Sequence, residues 1–394
     1  MALTAILCRH MAVAPASAES VPGRRDPRLD SLTGLRFLAA FLVLQHHFTN
    51  FGQLPFFWRY TGFGATGVTF FFVLSGFVLT WSFTPRDTPA HFYWRRFARI
   101  WPLHIAALLL ALPVFYTWRG LSYDWLSILL SVVLLHAWVP AVAMYFGGNP
   151  ASWSLSCEMF FYAVHPFIVR RTLAAARVWL VGAGAALAVA VGIAVVLAGG
   201  LPPFLQQWLL YTAPAFRVGE FLLGVLLAAA VKRGVRFRIR PLPAAGLLAA
   251  WFVLTYNVGP VVAAGWQVLL SDLNYLVLPA LYGLLIVSAA QLDLAGARSL
   301  LRSRPMVLLG QWSYALYLVH ATVIYTLIHF AGSRPTAASN AIWLLGVTLV
   351  AVGLAALLYY TVERPIESRL RRLWRARPRA VEFVPTGVPV DSPV

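Results

Sequence analysis

Leu32-Thr-Gly-Leu-Arg36-Phe-Leu-Ala-Ala-Phe-Leu-Val-Leu-Gln-His46-His47-Phe-Thr-Asn-Phe51 is apolar enough to cross a bilayer, yet it carries an arginine and two histidines. A charge near the middle of a membrane helix costs a few kcal/mol on insertion scales, so such residues belong in a bundle interior with a task to perform. Arg36 and His47 are eleven positions apart. At about 100° per residue that returns to within about 20° of one face, roughly 16 Å along the axis. His46 sits about 80° round from that stripe, so His47 is the site candidate and His46 its neighbour. The plain alternative is a snorkelling arginine and two histidines bonded to adjacent helices.

The rest of the composition agrees. With 60% hydrophobic and 11% charged residues and a mean hydropathy of +0.74, the chain is a polytopic membrane protein and not an ordinary soluble domain. Its net charge of +18 comes from thirty arginines and the single Lys232, placed in loops beside apolar segments, as membrane orientation requires. No nucleic-acid motif accompanies them, so no nucleic-acid partner is expected. Cys8 and Cys157 lie in a tail and an apolar span, which argues against a disulfide framework, and no metal-ligand spacing is present. The first residues resemble a signal peptide only faintly, since Arg9 and His10 interrupt the apolar run.

Apolar windows predict ten spans: Leu32 to Phe51, Phe63 to Phe83, Pro102 to Trp118, Trp153 to Val169, Val178 to Ala198, Trp208 to Val231, Leu242 to Val258, Val268 to Ala290, Val307 to Phe330 and Ala341 to Val362. Trp125 to Val139 is shorter. If it does not cross, only Arg59, Arg119 and Arg334 face outward, Arg36 and Arg217 lie within spans, and the remaining basic residues of the 31 face the cytosol. Counted as a crossing, it would turn every later cluster outward, against the positive-inside rule. It is therefore expected to be re-entrant or to lie on the outer surface, with both termini cytosolic. No internal repeat or matched pair of broken helices is evident. The expected divisions are a flexible tail over 1–28, a membrane domain over 29–366 and a basic, then Pro-rich, tail over 367–394.

Four clusters could carry chemistry. Arg96 and Arg99, in the loop His91 to Pro102 after the second span, are adjacent if that segment is helical, and a guanidinium pair at the cytosolic membrane edge suits a phosphorylated donor. Orientation charge and lipid headgroup contact explain them as readily. Glu158, near the start of its span, has Tyr162 one turn on and His165 further along. Entering from the outer side, it matches the depth of His47, so a Glu158–His47 hydrogen bond could support a general base. Cys157 reads as a small packing residue ahead of an acyl-accepting nucleophile. Tyr314, Tyr317 and His320 share a drifting face, suggesting either a polar cavity or bonds between helices. Arg217 and Glu220 read as mutual neutralisation, and Glu363-Arg364-Pro365 as a helix stop.

In this order the motifs resemble the acyltransferase 3 family of integral membrane O-acyltransferases, from about Leu29 to Pro365. The matching pieces are Arg36 and His47 in the opening span, Gly67 to Phe77 with Ser75 near its end, Arg95 to Pro102, Trp153 to Tyr162 and Ser313 to His320. The resemblance implies transfer of an acyl group from cytosolic acyl-CoA, the only cofactor-like molecule expected, to a hydroxyl, usually on a sugar. His47 would be the essential histidine, Arg36 its partner, Arg96 and Arg99 the donor-side pair and Glu158 the glutamate of the family's fifth motif; Tyr314, Tyr317, His320 and Ser75 are further candidates. Family members commonly have Asp where Thr69 stands, so an acidic contribution is missing there. Length, Thr69 and the arginine-rich composition resemble the actinobacterial branch that acylates macrolide sugars. The expected setting is the plasma membrane, with lipid, acyl-CoA and a sugar-bearing acceptor as partners. A multi-span transporter or exporter is the rival class.

Overall fold

The computed structural model describes residues 27–52, 62–85, 87–258, 261–332 and 336–375. The first 26 residues, Arg59, Arg334 and the Pro-rich tail from residue 376 lie outside them. The architecture is all-helical, with 84% helix. Each expected span coincides with a helix: α1 Asp30–Thr49, α2 Gly67–Trp81, α3 Pro89–Phe115, α5 Trp153–Ala174, α6 Arg177–Ala198, α7 Pro214–Lys232, α8 Pro241–Val253, α9 Ala264–Leu294, α10 Arg304–Ala331 and α11 Ala337–Leu358. Between α3 and α5 lies α4, Trp125–Val132, and after α11 comes α12, Arg364–Arg375.

Among the described residues, seven helices are long and apolar enough to cross a membrane. Outside that group stand α1, α5 and α8. The first two fall short in hydropathy because they carry Arg36, His46 and His47, and Glu158 and His165; α8 has only 13 residues of regular helix before a π turn at Leu254–Val258. The helices least suited to lipid by composition are thus those that carry polar groups into the bundle. By contrast α6 is a peripheral helix, with Val178 and Trp179 both 72% exposed.

The eight residues of α4 extend only about 12 Å at helical rise, against about 30 Å of hydrocarbon. The chain then turns at Leu134, whose φ of 59° is left-handed, and continues as a 3-10 turn over His136–Trp138. A polar network pins this folded-back segment: His104 Nε2 lies 2.9 Å from the Ser131 carbonyl, His136 Nε2 3.2 Å from Ser152 Oγ, and the Asn149 amide donates to the Leu318 carbonyl at 2.9 Å. Irregular backbone is tolerated near a membrane only where its polar groups find such partners.

Three features differ from the sequence expectation. The segment His91 to Pro102 is not a loop; α3 starts at Pro89, with the Thr88 side chain capping the His91 amide, and carries the arginines on its first half. Glu363-Arg364-Pro365 is not a helix stop. Proline removes one backbone donor and crowds the preceding turn, and a π turn over Tyr359–Glu363 widens the helix there, so that it runs on into α12. The residues from 367 to 375, expected as tail, consequently lie along α3, where Trp94 Nε1 donates to the Leu370 carbonyl at 2.8 Å.

The core closes where small residues permit it. A Cβ on Gly76 of α2 would run into the Phe221 carbonyl of α7, and one on Gly224 of α7 into the Val73 carbonyl of α2. Gly310 brings α10 equally close to the Thr33 carbonyl of α1. The N-terminus of α1 has no local side-chain cap; Asp293 at the end of α9 accepts from the Ser31 amide at 2.8 Å and from its hydroxyl at 2.6 Å. That long-range cap fixes the end of the helix that carries Arg36.

Candidate functional site

A cavity of about 160 Å³ opens among α1, α2, α3, α5 and α10. Several water molecules would fit such a space. Its lining includes Arg36, Ser75, Arg96, Arg99, Glu158, Tyr314 and Tyr317, so seven of the nine residues singled out in the sequence meet at one place. The other two do not line it: His320 packs on Tyr317, and His47 packs in turn on His320. Their ring centroids are 4.8 Å apart, and the His320 ring is 5.7 Å from that of Tyr317, which faces the cavity. The Tyr317 hydroxyl is 2.8 Å from Ser154 Oγ, another lining residue.

Backbone carbonyls decide the chemistry of the two imidazoles. His47 Nδ1 is 2.9 Å from the Val43 carbonyl and His320 Nδ1 is 2.5 Å from that of Tyr317. A carbonyl can only accept, so in the neutral ring Nδ1 carries the proton and Nε2 keeps the lone pair. The expected Glu158–His47 hydrogen bond is absent: Tyr162, one turn along α5, donates to Glu158 Oε2 at 2.7 Å instead. The helix's own carbonyl four residues back reaches His47 with no cost in positioning a second helix, and it fixes the same tautomer that a carboxylate would have fixed. His46 stands edge-on to His47, 5.3 Å between centroids.

The arginines divide by partner. Arg95 makes paired hydrogen bonds to Asp87 at 2.9 and 2.6 Å. Burial pushes the Asp87 carboxyl up, but the Arg95 guanidinium, together with Thr84 and His91, holds it below the ordinary carboxylate range, so at neutral pH Arg95 keeps its counter-charge. Arg99 contacts Glu363 and reaches Glu367 at 3.2 Å, with the Tyr314 ring 5.8 Å from its guanidinium carbon. Arg96 rests against the rings of Phe92 and Tyr162, 5.8 and 6.0 Å away. Among the described residues neither Arg96 nor Arg36 has an ion-pair partner. Unpaired cations around a small cavity make it receptive to an anion.

The hydroxyls of Tyr314 and Tyr317 bond to other helices, Tyr317 as above and Tyr314 to the Ile100 carbonyl of α3 at 3.1 Å, while both residues still line the cavity. The two readings of that stripe therefore hold together. Arg217 and Glu220 form the expected buried pair at 2.9 Å. Thr69 is part of it, accepting from Arg217 at 3.2 Å and donating to Glu220 at 3.1 Å, so an acid does stand beside position 69, supplied by α7. Cys157 is fully buried, with its thiol 3.3 Å from the Thr212 carbonyl, and does not line the cavity. Glu363 and Glu367 went unrecognised as site residues. Their only sequence signal was a carboxylate at the inner end of the last span, opposite a basic segment.

The profile described as "Acyltransferase domain" matches residues 29–360. Acyltransferase MdmB of Streptomyces mycarofaciens is similar to the chain at 35% identity over 395 residues, covering 90% of this chain and 95% of that protein. No solved structure matches.

Proposed function

The chain belongs to the acyltransferase 3 family, and from that membership we propose that it transfers a short or medium acyl group from acyl-CoA to a sugar hydroxyl of a glycoside or polysaccharide. Among acceptors we favour a macrolide-type glycoside, following the branch its sequence resembles. The observation that supports the reading best is the meeting of Arg36, Arg96, Arg99 and Glu158 around one cavity, beside an imidazole whose Nε2 keeps its lone pair.

In this reading Arg96 and Arg99 hold the phosphates of the donor, and its flexible arm runs inward along α1 past Arg36. A sugar hydroxyl is too weakly acidic to attack a thioester unaided at neutral pH. His47 Nε2 takes the hydroxyl proton as the oxygen bonds to the thioester carbonyl carbon; the carbon–sulfur bond then breaks, and the proton passes to the departing CoA thiolate. Arg36 offsets negative charge on the carbonyl oxygen. Glu158, bridged to Tyr162, keeps the cationic cavity from excess positive charge. Transfer is direct, without an acyl-enzyme.

We place the protein in the plasma membrane with ten crossings and both termini in the cytosol, on the distribution of its arginines. Membranes containing it should release free thiol from acyl-CoA only when an acceptor is present. Solute movement across those membranes with no thiol release would instead support the transporter reading.

A further inference from the structure

Glu363 is 1% exposed, and its Oε1 meets the Arg99 guanidinium. One turn along α12, Glu367 offers a second carboxylate to the same nitrogen at 3.2 Å and is itself held by Arg371 at 2.5 Å. The three arginines of α3 are therefore unequal: Arg95 is neutralised by Asp87, Arg99 by two carboxylates, and Arg96 by none among the described residues. Arg36 lines the same cavity as Arg96 and Arg99. Three guanidinium groups around one cavity need a buried counter-charge, and Glu363 is placed to supply it.

We infer that Glu363 is a positioning residue of the donor site, which holds Arg99 in place and competes with the donor's phosphates for it. The inference rests on the acyl-CoA reading above. Carboxylate and phosphate oxygens suit the same guanidinium edge, so a donor that engages Arg99 must displace at least one carboxylate. The more exposed Glu367, already shared with Arg371, is the easier to displace, while Glu363 stays and sets the affinity. A residue that merely ended a helix would have no such coupling to the donor.

The test removes the charge and keeps the shape. Glu363→Gln should bind CoA more tightly than the wild type, on the order of tenfold, the equivalent of a lost charged hydrogen bond on the competing side. The KM for acyl-CoA should fall, and kcat should fall with it because CoA leaves more slowly from an Arg99 that only Glu367 is left to reclaim. In an Arg99→Ala background the same substitution should leave CoA affinity unchanged. CoA titrated calorimetrically onto the purified full-length protein in detergent reads all of this, with Glu367→Gln expected to tighten binding by a smaller factor and to carry the test if Glu363→Gln does not fold. Should the Glu363 variant bind CoA no better than wild type while Arg96→Ala still weakens binding, the inference is overturned and the acyl-CoA reading stands. If the wild type takes up no CoA at all, that reading falls first and the inference goes with it.

Discussion

His47 and His46 are adjacent in the chain and unequal in the fold. The ring of His47 is packed on His320 with its Nδ1 committed to the Val43 carbonyl, which leaves one nitrogen available as a base. His47→Ala should cut turnover by about two to four orders of magnitude, the usual contribution of a general base, with CoA binding largely retained. His46→Ala should do far less, and a larger loss from His46 would shift the base to the other ring. The thiol of Cys157 is enclosed away from the cavity, so Cys157→Ala should keep acyl transfer within a few-fold of wild type, and no acyl group should be trapped on the protein.

Between elements, the decisive contact is the crossing of α2 and α7. Phe71, Phe72 and Ser75 of α2 line the cavity, and an adjoining face of that helix approaches α7 until backbone meets backbone. Gly76 and Gly224 make this possible because neither has a Cβ to place in the other helix's carbonyl shell. Adding a methyl group there forces the helices apart or strains them, at a cost of about 1–3 kcal/mol. Gly76→Ala and Gly224→Ala should each lower the midpoint of thermal unfolding in detergent. Gly192→Ala is the control: its added Cβ meets nothing within 4 Å on α6, and helix propensity favours alanine by about 1 kcal/mol. Equal behaviour of the three variants would remove the close crossing from the account of the core.

At the scale of the whole molecule, orientation and the non-crossing segment stand or fall together. A segment as short as α4, followed by a left-handed turn at Leu134 and an internally bonded loop, is expected to return the chain to the side from which it came. A reporter fused after Pro140 should therefore behave as external, and one after Arg171 as cytosolic. The reverse pattern would invert the membrane model and move Arg96 and Arg99 away from a cytosolic donor. With the expected orientation, the cavity's arginines lie towards the cytosol and the paired imidazoles deeper, which suits a donor entering from inside.

What the sequence determined alone was set by period and by cost. Apolar runs located ten of the helices, seven of them long and apolar enough to cross a membrane, because length and hydropathy are local properties, and the same 3.6-residue period put Arg36 and His47 on one stripe. Intramembrane charge marked Arg36, Glu158 and the Arg217–Glu220 pair, because such groups are too costly to stand in lipid without a role. Only the tertiary structure decided who meets whom. Glu158 and His47 agree in expected depth, but depth is a single coordinate, and in three dimensions Tyr162 lies nearer to Glu158 and the Val43 carbonyl nearer to His47. The equality of Arg96 and Arg99 failed for the same reason: spacing shows that two side chains share a face, whereas Glu363 reaches Arg99 from 264 residues away. A helix's own period is written in the chain, but the partner that another helix delivers to it is fixed only by packing.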